Sequence, residues 1–262
     1  MGFYPGSFEE FLTAGVLAFI LTFVRIGTAI MIMPGLGDYF VPERIRLHIA
    51  IGITFVLFPL ALPHMPKPFP GTFMLLFLIV TEFTVGVFFG MIARILMLAL
   101  DTAGMVISIS SGLANAQLFN PALATQGSLM GAFLSVTGVM FLFVTNLHHL
   151  LIRGIVESYD LFPLGGALDT GSMAELMARM VAKSFTVGVQ IGMPFVVLSL
   201  LVYIVMGVLA RLMPQVQVFL LALPVQIILS LSLLMMTLGV GFMYWAAQFE
   251  DGMVFFLAAV RP

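Results

Sequence analysis

The sequence predicts an all-α membrane protein, and composition is the first observation behind that prediction. Hydrophobic residues make up 61% of the 262 residues and charged residues only 8%, with a mean hydropathy of +1.18. A soluble domain carries about 25% charged residues, so the bilayer is the expected solvent for most of the chain. The net charge of −2 and the lack of cysteine argue against nucleic-acid binding, disulfides and thiolate metal sites.

Long apolar segments separated by proline- and glycine-rich joints are the second observation. A membrane-spanning helix needs roughly 20 apolar residues. The sequence therefore predicts about six long hydrophobic helices, arranged in hairpins and packed as a single membrane-embedded unit over residues 1–262. The predicted segments are 11–33, 45–62, 72–100, 129–152, 184–210 and 216–249.

Two regions carry further local patterns. Residues 170–183 predict a separate short amphipathic helix, because their charged side chains recur at a spacing of four. The stretch 212–249 has no charge and contains Pro214 and Pro224. It predicts either one bent helix or two helices in a hairpin.

A run of small polar residues in the middle of the chain is the third observation. No acidic or basic side chain other than histidine lies between Asp101 and Arg153. Within this stretch residues 108–121 are mostly small or polar and include the helix breakers Gly112 and Pro121. Irregular backbone at membrane depth is stable only where protein or a water-filled cavity satisfies its N–H and C=O groups. The segment therefore predicts a region that lines or plugs a cavity.

Charged and glycine residues also occur inside the apolar segments. Glu82, Gly86, Gly90 and Arg94 are four apart and form one stripe on a helix. This stripe predicts a face turned towards other protein or water, with glycines that let a second helix approach closely. Packing within a multi-subunit assembly and packing within this chain both remain open. Arg25, inside the first segment, either reaches a helix end or pairs with an acid of a partner.

Candidate catalytic and metal-binding patterns are weak. His148 and His149 are adjacent, which is not the i,i+4 spacing of a helical zinc site. Asp38 follows Gly-Leu-Gly and Asp160 follows Tyr, as in intramembrane aspartyl proteases, but the two motifs stand in reversed order and in predicted loops. We therefore predict no enzyme, no catalytic residue, no metal site and no cofactor.

One block of the sequence resembles a known family. Residues 210–219, with Arg211-Leu212-Met213-Pro214-Gln215 at their centre and Pro224 beyond, are similar to the Ala-Arg-x-x-Pro-Gln-x-Asn-x-Phe signature of the FliR family. FliR proteins belong to the flagellar type III export gate, and injectisome counterparts are closely similar. Gln217 stands where Asn is usual, and Asn120 where Asp is more frequent. Four further blocks follow the family in order, at 33–46, 112–121, 146–151 and 158–165.

The resemblance implies a role for the uncharged segment. The implied plug loop, which helps to close the export channel, consists of Ser110, Ser111, Gly112, Asn115, Gln117, Phe119, Asn120 and Pro121. Subunit packing or a buried charge is predicted for Glu82, Gly86, Gly90, Arg94, Arg211, Pro214 and Gln215.

The resemblance also implies a function and partners. The protein would be a non-enzymatic gate subunit in the bacterial inner membrane at the flagellar basal body. Its expected partners are FliP, FliQ and FlhB type subunits, unfolded flagellar substrates in transit and membrane lipid, with no nucleic acid. The alternatives are an injectisome export-gate subunit and a secondary transporter that uses Glu82 and Arg94 as coupling or substrate residues.

Overall fold

The structure is a computed structural model that describes residues 8–62, 71–115, 128–166, 168–215 and 218–257. Within these ranges the chain forms α-helices and the short 3-10 turn Leu113–Asn115, and no strand. The predicted all-α class is therefore confirmed. The helices are α1 (Phe8–Ile32), α2 (Glu43–Ala61), α3 (Thr72–Ser110), α4 (Leu129–Val144), α5 (Leu147–Leu161), α6 (Thr170–Leu212) and α7 (Val218–Leu257).

Four of the described helices are long and apolar enough to cross a membrane. They are Ala14–Ile32 within α1, all of α3, all of α6 and Ala222–Val254 within α7. The broken pair α4–α5 counts as a fifth span if its two helices act together. The six predicted spans thus become four or five. The helix at 43–61 is not among them, and it carries several charged residues in its first turn.

The predicted segment 129–152 is wrong as a single helix. α4 ends at Val144 and α5 begins at Leu147, with Asn146 between them in the left-handed conformation (φ 61°). Asparagine tolerates this conformation better than other residues with a side chain because it can form local hydrogen bonds. The polar residue at the joint therefore ends the apolar helix.

The prediction of a separate helix over 170–183 is also wrong. α6 continues from Thr170 to Leu212 without a break, and Pro194 lies inside it. Asp169 stabilises its first turn by accepting hydrogen bonds from the backbone N–H groups of Gly171 and Ser172 at 3.1 and 3.2 Å. The charged turns and the apolar turns belong to one helix because no proline lies between them; the first proline of α6 is Pro194.

Within the stretch 212–249 the described residues form one helix, so the alternative of two helices in a hairpin is wrong. α6 ends at Leu212, and α7 begins at Val218. The break coincides with Pro214, because proline cannot donate the next helical hydrogen bond. Pro224 lies inside α7 and does not interrupt it.

The chain divides into two compact units. The first comprises Met1–Arg94, Asn146–Ala178 and Asp251–Pro262, and the second comprises Ile95–Thr145 and Arg179–Glu250. Organisation as one membrane-embedded unit over residues 1–262 stays a prediction. The core of the first unit includes Leu21, Leu78, Tyr159 and Leu164. The buried side chains of the second include Leu100, Phe195, Trp245 and Phe249.

Candidate functional site

A buried ion pair between α1 and α3 lies in the first unit. The Arg25 guanidinium donates from Nε to Oε2 of Glu82 at 2.6 Å and from Nη2 to Oε1 at 2.9 Å. Both side chains are almost fully buried, at 2% and 1% exposure. Two parallel charge-assisted hydrogen bonds form the strongest common arrangement between these groups. The pair offsets part of the cost of removing two charges from water.

Groups at the end of α5 complete the surroundings of Arg25. Its Nη1 donates to Ser158 Oγ at 3.3 Å, and its Nη2 also donates to the Phe162 carbonyl at 2.8 Å. The guanidinium carbon lies 3.9 Å from the centre of the Tyr159 ring, which is a cation–π contact. One arginine therefore joins α1, α3 and α5, and its acid partner is in the same chain rather than in another subunit.

The two glycines of the predicted stripe on α3 also lie against α1. A Cβ atom at Gly86 would collide with the Arg25 carbonyl and the Thr28 hydroxyl, and one at Gly90 would collide with the side chain of Ile32. The absence of a side chain at Gly86 and Gly90 is what allows α1 to approach. Within the described chain, this face packs internally.

Arg94, the last residue of the stripe, pairs with a different acid from Arg25. It forms an ion pair with Asp38 at 2.8 Å, where the arginine is 40% exposed, and donates to the Ile32 carbonyl at 3.3 Å. Asp38 also accepts the Gly35 backbone N–H at 2.7 Å. These contacts fix the loop that follows α1. Asp38 is therefore engaged by a cation, and Asp160 lies exposed at the end of α5, whereas an aspartyl protease needs two carboxylates that share a proton in a protected site.

The predicted plug segment is described only in part. Ser110, Ser111, Gly112 and Asn115 lie in the described chain, and Gln117, Phe119, Asn120 and Pro121 lie outside it. α3 ends at Ser110. Gly112 adopts a positive φ of 77°, which a residue with a side chain rarely does. The helix is therefore stopped at the point where the polar run begins.

Serine residues tie the two flanks of the undescribed segment 116–127 together. Ser108 on α3 and Ser128 before α4 share a hydrogen bond of 2.6 Å between their hydroxyl oxygens. Ser128 Oγ also donates to the Gly104 carbonyl at 3.0 Å and accepts from the Gly131 N–H at 3.1 Å. It thereby caps α4 and holds the start of that helix against α3.

Gln226 on α7 also contacts the start of the predicted plug, and sequence reasoning missed it. Its side-chain amide nitrogen donates to the Ser110 carbonyl at 2.5 Å, and the residue is 1% exposed. Leu223 of the same helix is the nearest neighbour of an added Cβ at Gly112. The available signal was an amide side chain among apolar residues of the helix, because a buried amide requires a specific hydrogen-bond partner.

The signature residues near the last helix break are exposed. Arg211 lies in the last turn of α6, and Pro214 and Gln215 follow in the turn before α7, all three on the surface of the chain. A role in subunit packing stays a prediction for them. The histidine rings of His148 and His149 are adjacent, with centroids 4.0 Å apart. Among the described residues, no group of three His, Asp or Glu side chains could hold a metal ion.

Comparison with known proteins gives matches along nearly the whole chain. Residues 16–252 match the family described as bacterial export proteins, family 1. Flagellar biosynthetic protein FliR of Caulobacter vibrioides is 35% identical over 252 residues, which cover 96% of this chain and 98% of that protein. FliR of Aquifex aeolicus is 29% identical, with 93% and 92% covered. Yop proteins translocation protein T of Yersinia pestis is 24% identical, with 80% and 82% covered.

Proposed function

Because this chain belongs to the FliR family of bacterial export proteins, with residues 16–252 matching the family, we propose that it is a structural and gating subunit of the flagellar type III protein export gate. It helps to form and to plug the channel through which unfolded flagellar subunits cross the inner membrane. It performs no catalysis, and energy for transport comes from other components. The 35% identity to a FliR protein over 96% of the chain supports the flagellar assignment.

The observation that supports a gating role is that hydrogen bonds hold both ends of the uncharged segment. The hydrogen bonds at Ser108–Ser128 and Gln226–Ser110 anchor its flanks to helices of one unit. Residues 116–127 contain no charged side chain, so they can border a passage without attracting a charged substrate. A plug needs fixed ends and a neutral middle, and both features support this role for Ser110 to Pro121.

Exposed apolar faces support assembly with other subunits. The helix α6 exposes Leu200, Tyr203 and Val208 by more than half of their surface, and α7 exposes Met235 and Met243 by more than two thirds. Surfaces of this kind require lipid or protein cover. We assign them to FliP, FliQ and FlhB type subunits and to membrane lipid, in the inner membrane at the flagellar basal body.

Deletion of residues 110–121 tests the gating role. The variant is produced with its partner subunits and the intact complex is reconstituted in planar bilayers. We expect an increased conductance to small ions, because the neutral segment no longer occupies the passage. The matched control keeps the length and replaces residues 116–121 by an alternating Gly-Ser linker. The complex with this linker should conduct small ions less than the complex with the deletion. An intact complex with unchanged conductance after the deletion contradicts the plug.

An injectisome subunit is the second candidate, favoured by one observation. The Yersinia pestis relative matches 80% of this chain at 24% identity, so the same fold serves an injectisome-type protein. The lower identity makes this candidate weaker than the flagellar one. Deletion of the gene separates the two: loss of motility with normal secretion of other proteins supports the flagellar assignment, and the reverse supports the injectisome.

A secondary transporter is disfavoured by the positions of its candidate residues. Glu82 is held by both nitrogens of the Arg25 fork, and Arg94 is paired with Asp38. A coupling residue has to release its partner to bind an ion or substrate. The purified chain alone should therefore catalyse no solute flux in vesicles.

A further inference from the structure

One face of α3 in the second unit lies between α4 and α6, is partly exposed and contains a single acid. Leu98, Met105 and Ile109 are 46%, 55% and 63% exposed, and Asp101 and Thr102 are half-buried between them. These residues recur at spacings of three and four, so they form one stripe along the helix. We call Leu98, Asp101, Thr102, Met105 and Ile109 the Asp101 stripe.

The carboxylate of Asp101 is held in place by α4 but is not neutralised there. Ser135 Oγ donates to Asp101 Oδ1 at 2.5 Å, and the small residue Gly131 lies beneath the same oxygen. In the described part of the chain, no Lys or Arg forms an ion pair with Asp101. Among the described residues, none donates a hydrogen bond to the second carboxylate oxygen of Asp101, Oδ2. The acid Glu82, on the same helix, has its charge balanced by Arg25.

An ionised carboxylate inside an apolar helix face is unfavourable next to acyl chains. Apolar neighbours such as Met105 and Leu98 would be stable in lipid, but Asp101 would not. Acids within membrane helices almost always face the interior of a helix bundle or a water-filled cavity, where they pair with basic residues. The apolar residues on either side supply the contact area, and the acid fixes the register of the partner.

We propose that the Asp101 stripe binds a membrane helix of a partner subunit that carries an Arg or Lys opposite Asp101. The basic side chain pairs with the free carboxylate oxygen while Ser135 holds the other. Leu98, Met105 and Ile109 pack against apolar residues of the same partner helix. This inference rests on the proposed function only in requiring that the chain has partner subunits.

Photo-crosslinking in the native complex tests the contact. Benzoylphenylalanine replaces Met105, one turn from Asp101, and a second variant carries the crosslinker at exposed Leu200 on α6. We expect a protein adduct at Met105 that Asp101→Asn weakens by about tenfold or more, because loss of one member of a buried charge pair removes at least that factor in affinity. Asp160→Asn neutralises an exposed acid and is the matched control, with no expected effect.

Asp101→Asn retains an oxygen that accepts the Ser135 hydrogen bond, so it tests the charge rather than the fold. Unchanged adduct yield in this variant overturns the proposal, as does an adduct at Met105 with lipid alone. A protein adduct at Leu200 without one at Met105 overturns it too, yet leaves the gate function standing. In a complementary selection, Asp101→Lys should abolish motility, and revertants should replace a partner Arg or Lys by an acid; revertants confined to this chain count against the pairing.

Discussion

Arg25 and Glu82 form a fork-to-fork ion pair in which the two side chains are 2% and 1% exposed. Removing one partner leaves the other as an uncompensated buried charge. We expect Arg25→Leu or Glu82→Leu alone to lower the free energy of unfolding by about 3–5 kcal/mol. The double variant should recover most of that loss, since apolar pairs of similar volume often match a buried ion pair. Thermal unfolding of the purified chain in detergent measures all three.

The chain offers a matched control for this prediction in an ion pair on α5. Arg153 and Glu157 are joined at 2.5 Å, but the arginine is 67% exposed. Arg153→Leu should change stability by less than about 1 kcal/mol. A loss for Arg153→Leu as large as that for Arg25→Leu would contradict the account based on burial.

Gly86 is predicted to tolerate no side chain. A Cβ there would meet the Arg25 carbonyl, which is backbone and cannot rotate away. Gly86→Ala should therefore destabilise the chain by about 1–3 kcal/mol through overpacking. Gly207→Ala is the control, because nothing lies within 4 Å of an added Cβ at that helical position. It should stabilise the isolated chain by about 0.5–1 kcal/mol, and equal effects at both glycines would refute the close-approach argument.

Gln226 is predicted to stabilise the end of α3. Gln226→Leu removes the donor to the Ser110 carbonyl and leaves a buried acceptor unsatisfied, at a cost of about 1–3 kcal/mol. The chain has one tryptophan, and Trp245 is buried in the same unit, where it donates to the Leu96 carbonyl at 3.1 Å. Its fluorescence during denaturation therefore reports the loss. Ser232→Ala, which removes an exposed bond to the preceding turn, should have little effect.

The start of α6 is predicted to depend on pH through Asp169. Hydrogen bonds from the Ser172 hydroxyl and the backbone N–H groups of Ser172 and Gly171 lower the pKa of Asp169 from its usual value of 3.8. A lowered pKa means that the carboxylate stabilises the folded helix at pH values above 3.8, and that this stabilisation is lost as the pH falls through the folded-state pKa.

The measurement for Asp169 compares wild type with Asp169→Ala over a range of pH. The wild type should melt at a higher temperature at pH 6, and the difference should shrink as the pH approaches 3. An advantage that is constant from pH 6 to pH 3 would exclude the carboxylate as its source.

The sequence was sufficient for the helical class and for the stripe on α3, because composition and a period of four depend on local residues alone. It did not identify the neighbour of that stripe. Glu82 and Arg25 are 57 positions apart, and no spacing rule connects two helices at that separation. Neither predicted alternative for Arg25, a helix end or an acid of a partner subunit, is therefore right, because its acid partner Glu82 lies in the same chain.

Helix boundaries were predicted less well, for physical reasons that differ between positions. Pro214 follows the end of a helix whereas Pro194 and Pro224 lie inside helices, so a proline does not by itself mark a helix boundary. The break at Asn146 depends on the left-handed conformation of one residue, which the hydropathy of the flanking residues does not specify. The role of Gln226 follows from a contact across 116 residues, which only the folded chain shows.

Contact between glycines has a mechanical consequence in the second unit. A Cβ at Gly104 would strike the backbone of Gly131, so α3 and α4 meet there with no side chain between them. Sliding of packed helices normally proceeds by small adjustments of the side chains at their interface. At this contact those adjustable side chains are missing, so the spacing between α3 and α4 is expected to stay fixed at Gly104 and Gly131. Any relative movement of the two helices would then be larger away from this point of contact.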